Sequence, residues 1–169
     1  WCSNDLRIEG ELKEVEKFKK ENVKLDFDKY IPYPKEFTDK DKQASKNRVE
    51  KQTTINGKLD TTDGYNLGGY EWCIQNWGTK WGAMDFEITN DISSWEDKAK
   101  VKHAEISYTF DTAWSPPNPV IIAVSEKYPK LKFELRYFEG GMGYNGILRV
   151  QNGKVELDKI GDYFGDRGG

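Results

Sequence analysis

Residues 104–114 alternate strictly: Ala104, Ile106, Tyr108, Phe110 and Thr112 stand against Glu105, Ser107, Thr109 and Asp111. A period of two sends successive side chains to opposite faces of a strand, so this segment has one buried face and one wet face. Such a strand needs a covering layer, and the next residues supply one. Ser115-Pro116-Pro117 predicts a helix start, with Ser115 as the cap and proline at the first helical position. Val120, Ile121 and Val124 form its buried stripe, and Tyr128-Pro129 ends it. Residues 131–138 alternate again, with Leu131, Phe133, Leu135 and Tyr137 inward. This half therefore reads strand, helix, strand.

The other half reads similarly. Residues 1–9 predict a strand ended by Gly10, with Cys2, Asn4, Leu6 and Ile8 on one face. A helix over about 11–21 carries Leu12, Val15 and Phe18 in helical spacing. Residues 22–37 read as irregular around Pro32 and Pro34. Thr38 is then expected to cap a helix running to about Lys51, on which Ala44 and Val49 are the apolar residues. With Asn56-Gly57, Asp63-Gly64 and Gly68-Gly69 beyond it, 38–69 reads as a polar, partly mobile insertion. In 70–77, Tyr70, Cys73, Ile74 and Trp77 recur at helical spacing, and Gly78 is placed as the C-cap. A strand is expected near 83–89, a loop at Gly140, Gly141 and Gly143, and a hairpin about Asn152-Gly153 pairing 146–151 with 154–158 through a type I′ turn. The tail 161–169 is expected to be loose. The order strand, helix, insertion, helix, strand, strand, helix, strand, hairpin predicts one α+β domain over 1–169. Its sheet is antiparallel with helices packed on one face, of the ferredoxin-like split βαβ kind.

Composition narrows the function by exclusion. The 169 residues carry a net charge of -3, with 26 basic side chains interleaved among 29 acidic ones. A nucleic-acid binder would show a basic excess or stripe, so nucleic acid is an unfavoured partner. No apolar run approaches the ~18 residues of a membrane span, and the start resembles neither a signal nor a transit peptide. Opening on Trp1 suggests a trimmed or processed N-terminus, and the cytoplasm is the expected compartment. Two cysteines, Cys2 and Cys73, each after a tryptophan, read as small core residues, although a disulfide between them stays open. Aromatic residues make up 14% of the chain, enough to build a core that is poor in Leu and Val.

Three segments resemble YubB-like proteins of phages and conjugative plasmids: Trp1-Cys2-Ser3-Asn4, Trp77-Gly78-Thr79-Lys80-Trp81, and Phe110-Asp111-Thr112-Ala113-Trp114-Ser115-Pro116-Pro117. The likeness covers the two ends and about 70–153, and leaves out the lysine-rich 38–69. It implies a mobile-element origin and a ferredoxin-like domain, and it supplies no catalytic residues.

The chain's own chemistry is sparse. His103 is the single histidine and reads as an ordinary exposed one, which limits triads and histidine metal sites. Cys73 on an apolar stripe would be inert toward it. Asp85, Glu87, Asp111 and Glu134 lie on predicted strands, but chance pairs arise in any chain this acidic. Gly140-Gly141-Met142-Gly143 lacks the Lys-Ser/Thr of a phosphate loop. Neither a cofactor nor a metal is implied. The suggestive group is Asn76, Trp77, Thr79, Lys80 and Trp81 beside Trp114 and Pro116, a tryptophan-rich helix end with a flanking lysine, which could be a binding groove or packed core. The expected function is that of a non-enzymatic accessory protein of a phage or mobile element that binds and modulates a host protein, such as a defence component. Single-stranded nucleic-acid binding on the sheet face, or a small nucleotide-acting enzyme, are the alternatives.

Overall fold

A computed structural model describes residues 1–50 and 62–162 of the chain. Strand β1 (Cys2–Glu11) leads into helix α1 (Leu12–Glu21). Short helix α2 (Phe27–Tyr30), helix α3 (Lys35–Glu50) and helix α4 (Gly69–Trp77) follow. Strands β2 (Met84–Glu96) and β3 (Lys102–Thr112), helix α5 (Asn118–Lys127) and strands β4 (Lys132–Glu139), β5 (Tyr144–Gln151) and β6 (Lys154–Asp162) complete the order.

The six strands form one antiparallel sheet in the order β2-β3-β1-β4-β5-β6. In β1–helices–β2, the two strands are separated by β3. In β3–α5–β4, they are separated by β1. Two interleaved units of this kind make the split βαβ sheet of a ferredoxin-like α+β domain, and the β5–β6 hairpin widens it at the β4 edge. Asn152 and Gly153, at φ 50° and 72°, form the expected two-residue turn with both centres left-handed.

Alternation decides which face is covered. Cys2, Asn4, Leu6 and Ile8 of β1 are fully buried, as are Ala104, Ile106, Tyr108, Phe110 and Thr112 of β3. Phe133, Leu135 and Tyr137 join them from β4. Val15 and Phe18 of α1 and Val120, Ile121 and Val124 of α5 pack onto that face. Phe18 sits at the centre, edge-on to Tyr108, Tyr128 and Phe133 at 5.0–6.0 Å. The opposite face is polar. Arg7 pairs with Glu9 and Glu105, and Glu134 is held between Arg136 at 2.8 Å and Arg149 at 2.5 Å. No helix among the described residues is long and apolar enough to cross a membrane.

Several boundaries differ from the sequence reading. β1 runs through Gly10 to Glu11. Residues 22–37 are not wholly irregular, since they hold α2 and the first turn of α3. Thr38 is not the cap. The helix starts at Lys35 because the Pro34 carbonyl accepts from the backbone of Phe37 and Thr38, and the Thr38 hydroxyl turns back to that same oxygen at 3.3 Å. On α4, Cys73 and Trp77 are buried as expected, but Ile74 is 39% exposed and Trp72 packs on the core. β2 extends seven residues past 89, to Glu96. Ser115 does not cap α5: Pro117 occupies that position, its carbonyl accepts from Val120 and Ile121, and Pro119 falls in the first turn. Cys2 and Cys73 are both free and buried. Gly161 and Asp162 of the expected loose tail are the end of β6, while the Asn56-Gly57 turn, the helix end at Lys51 and residues 163–169 lie outside the described residues.

Candidate binding site

α4 ends on Gly78, whose φ of 78° is left-handed. A Cβ there would also meet the Pro116 carbonyl and Pro119 Cδ at 3.0 Å, so glycine serves both the turn and the close approach. The chain then runs back along the junction between β3 and α5. Thr79 is fully buried and donates its hydroxyl to the Ala113 carbonyl at 2.9 Å. Tyr144 of β5 donates to the Trp114 carbonyl at 2.7 Å. Thr112 donates to the Ser115 carbonyl at 2.7 Å, and the Ser115 hydroxyl donates to the Gly78 carbonyl at 2.6 Å. Three consecutive carbonyls are thereby fixed by hydroxyls from α4's end, β5 and β3.

The residue in the middle of that clamp is Trp114, at φ 68°. A bulky side chain in the left-handed region costs about 1–3 kcal/mol and persists only where its surroundings enforce it. The clamp enforces it here, and the result is to turn the indole outward, 58% exposed. Lys80 Nζ stands 2.9 Å from the Trp114 ring centre, with Tyr70 at 5.8 Å and Trp81 at 5.9 Å. Trp81 is 40% exposed and meets Trp1 edge-on at 6.1 Å, and Trp1 is itself as exposed as Trp114. A cation over indole is worth about 0.5–1 kcal/mol at exposed sites. This geometry presents a rigid aromatic surface with one ammonium at its centre.

The residues singled out in the sequence thus separate into two layers. Lys80, Trp81 and Trp114 form the surface. Trp77 and Thr79 are the framework beneath: Trp77 is buried among Phe27, Tyr33 and Trp72, with its indole N–H on the Ile31 carbonyl at 2.8 Å. Asn76 is half-buried and returns its amide to the Trp72 carbonyl at 2.9 Å. Pro116 backs Gly78. Sequence reasoning missed Trp1, Tyr70, Thr112 and Tyr144. Trp1 and Tyr144 carried no local signal, being brought in by strand pairing across the sheet.

Chemistry elsewhere is muted. Burial pushes the Cys2 and Cys73 thiols up to about 11, which disfavours thiolate at neutral pH. His103 is less exposed than expected: its Nε2 lies 2.9 Å from Asp97 Oδ2 and its ring stacks on Trp95. For Glu134, burial alone would raise the pKa, but the bonds and charges of Arg136 and Arg149 together outweigh it and leave the group lowered. Among the described residues no three His, Cys, Asp or Glu side chains converge as metal ligands. A concavity of about 630 Å³ opens on the polar sheet face near Asp5, Arg136, Phe138, Asn145, Ile147 and Lys159, away from the tryptophans. Its wall mixes both signs of charge, so it points to no ligand class.

Residues 76–166 match a family model described as the ferredoxin-like domain in Api92-like protein. Among solved structures, that of a protein api92 from Yersinia pseudotuberculosis is similar over 98% of each chain, at 12% identity and a TM-score of 0.48. No curated protein matches the chain in sequence.

Proposed function

The chain belongs to the Api92-like family through its ferredoxin-like domain, and from that premise we propose that it is a non-enzymatic accessory protein of a phage or conjugative plasmid. It acts in the host cytoplasm by binding and modulating a host protein, a defence component being the favoured kind of target. The observation that carries this reading is Trp114, an exposed indole held in a strained conformation by three hydroxyl-to-carbonyl bonds. Rings that serve only as packing are turned inward, whereas binding anchors are held out rigidly so that little ordering is needed on association.

The sheet face supports nucleic-acid binding less well. Tyr108, Phe110, Phe133 and Tyr137 all face the helices, and the open side of the central strands carries Phe138 and, at one end of β3, the His103 ring stacked on Trp95. Stacking platforms need rings beside unpaired cations, and Arg7, Arg136 and Arg149 are engaged by carboxylates.

Affinity capture of the tagged chain from host lysate tests the proposal. One stoichiometric host protein is expected with the wild type, lost with Trp81→Ala and Lys80→Ala while both variants keep the wild-type melting temperature. Capture that survives both substitutions removes the patch from the reading, and an eluate holding nucleic acid in place of protein removes the reading itself.

A further inference from the structure

We infer that the patch takes an acidic peptide segment: one Asp or Glu carboxylate seated on Lys80, with a flanking aromatic or aliphatic side chain laid across Trp81 and Trp1. This rests on the protein-binding reading above and specifies the partner's chemistry.

Lys80 is the reason. Its ammonium is held over Trp114 and within 6 Å of Tyr70 and Trp81, yet among the described residues no carboxylate lies within ion-pair distance of it and no acceptor takes its N–H groups. What sets Lys80 apart from surface lysines such as Lys98 and Lys102 is its place among three rings, over Trp114 at 2.9 Å with Tyr70 at 5.8 Å and Trp81 at 5.9 Å. The indole face holds the cation without neutralising it, because a ring quadrupole attracts charge but accepts no strong hydrogen bond. An ammonium fixed in place, unpaired and surrounded by apolar rings is complementary to a carboxylate that arrives with apolar neighbours. The bond formed would be charge-assisted and screened from water by the tryptophans, the arrangement in which such bonds are strongest.

A nucleic-acid phosphate would answer the same charge, but the surroundings disfavour it. A strand backbone presents phosphates in series and needs cations in series. Among the described residues the patch offers Lys80 as its side-chain cation, on a chain of net charge -3.

Selection from a displayed random dodecapeptide library on the full chain tests the inference. Selected peptides are then synthesised and titrated by tryptophan fluorescence, each as the acid and as its Asn/Gln twin. Peptides bearing an Asp or Glu beside an aromatic or aliphatic residue are expected. The amide twin should bind the wild type about 10- to 100-fold more weakly. That difference should vanish with Lys80→Met and persist with Lys80→Arg, which keeps both charge and stacking. Neutral or basic selected peptides, an acid-to-amide difference that survives Lys80→Met, or no selected peptide would each overturn the inference. Binding of a deoxythymidine decamer at lower concentration than the peptides would also overturn it. If host-protein capture is still lost with Trp81→Ala while the peptides are not acidic, the inference fails alone. If capture survives Trp81→Ala and Lys80→Ala, the patch is not the binding surface and the inference fails with it, whereas an eluate of nucleic acid in place of protein fails the reading beneath it.

Discussion

Trp114 is exposed and left-handed at once. At φ 68° it bears a conformational cost that glycine would not, of about 1–3 kcal/mol. Replacing it with glycine removes that cost, loses the contact with Lys80 and adds about 0.5–1 kcal/mol of backbone entropy. These oppose one another, so Trp114→Gly should lose no more than about 1 kcal/mol of stability by urea midpoint while abolishing capture of the partner. A loss above about 2 kcal/mol would mean that the ring is packing and not display. Six tryptophans look alike in a sequence. Trp77 closes α4 and is buried against Phe27 and Tyr33, whereas Trp81 lies beyond the Gly78 turn and is 40% exposed, a difference set by tertiary contacts. Thr79 beside a lysine reads as a polar surface group until its hydroxyl is seen to be used on Ala113. The legible part of the site was Lys80, Trp81 and Trp114. The clamp that orients them comes from residues up to 37 positions apart and left no local trace.

Among the elements, the β2–β3 hairpin shows best what a pattern can and cannot reveal. β3 was readable to within two residues because β1 pairs with it without a register shift and one of its faces is wholly buried. β2 was cut short in the reading because its register shifts between Met84 and Glu87, Ile88 and Asn90, and Asn90 and Ser93, which destroys alternation, and because an edge strand this exposed carries little apolar signal. The turn that joins them is organised by Asp97. The hydrogen bond with His103 is the largest influence lowering its pKa below the usual aspartate range, followed by the backbone N–H of Val101 and, after a small opposing effect of desolvation, that of Ala99. A carboxylate lowered on folding stabilises the turn only while ionised. The contribution is complete above the ordinary aspartate pKa of about 3.9 and is lost as pH falls through the lower folded value. Amide exchange at Ala99 and Val101 should therefore speed up below about pH 4 in the wild type, beyond the intrinsic trend. Asp97→Asn should lack that step. An identical acid step in both proteins would assign it to another group.

For the molecule as a whole, the order of elements was legible and the sheet order followed from it, since two strand–helix–strand units on one antiparallel sheet interleave in few ways. The centre of that arrangement is Phe18, where α1 meets rings from β3, β4 and the end of α5. Phe18→Ala should cost about 3–5 kcal/mol, read as a fall in the urea midpoint with no change in slope. A cost below about 1.5 kcal/mol would mean that the core repacks freely around the vacancy. The place of β1 has a further consequence, and it concerns time. Cys2 is paired with Thr112 on one side and Glu139 on the other, and the whole of β1 is flanked in this way as far as Glu9. The strand near the start of the chain thus finds its neighbours only when much later residues have been made. During synthesis β1 and α1 wait with their apolar faces bare, since contacts between residues so distant cannot form until the intervening chain exists. The domain is born all at once, late, and until then it is exposed to whatever in the cell holds or degrades unfinished chains.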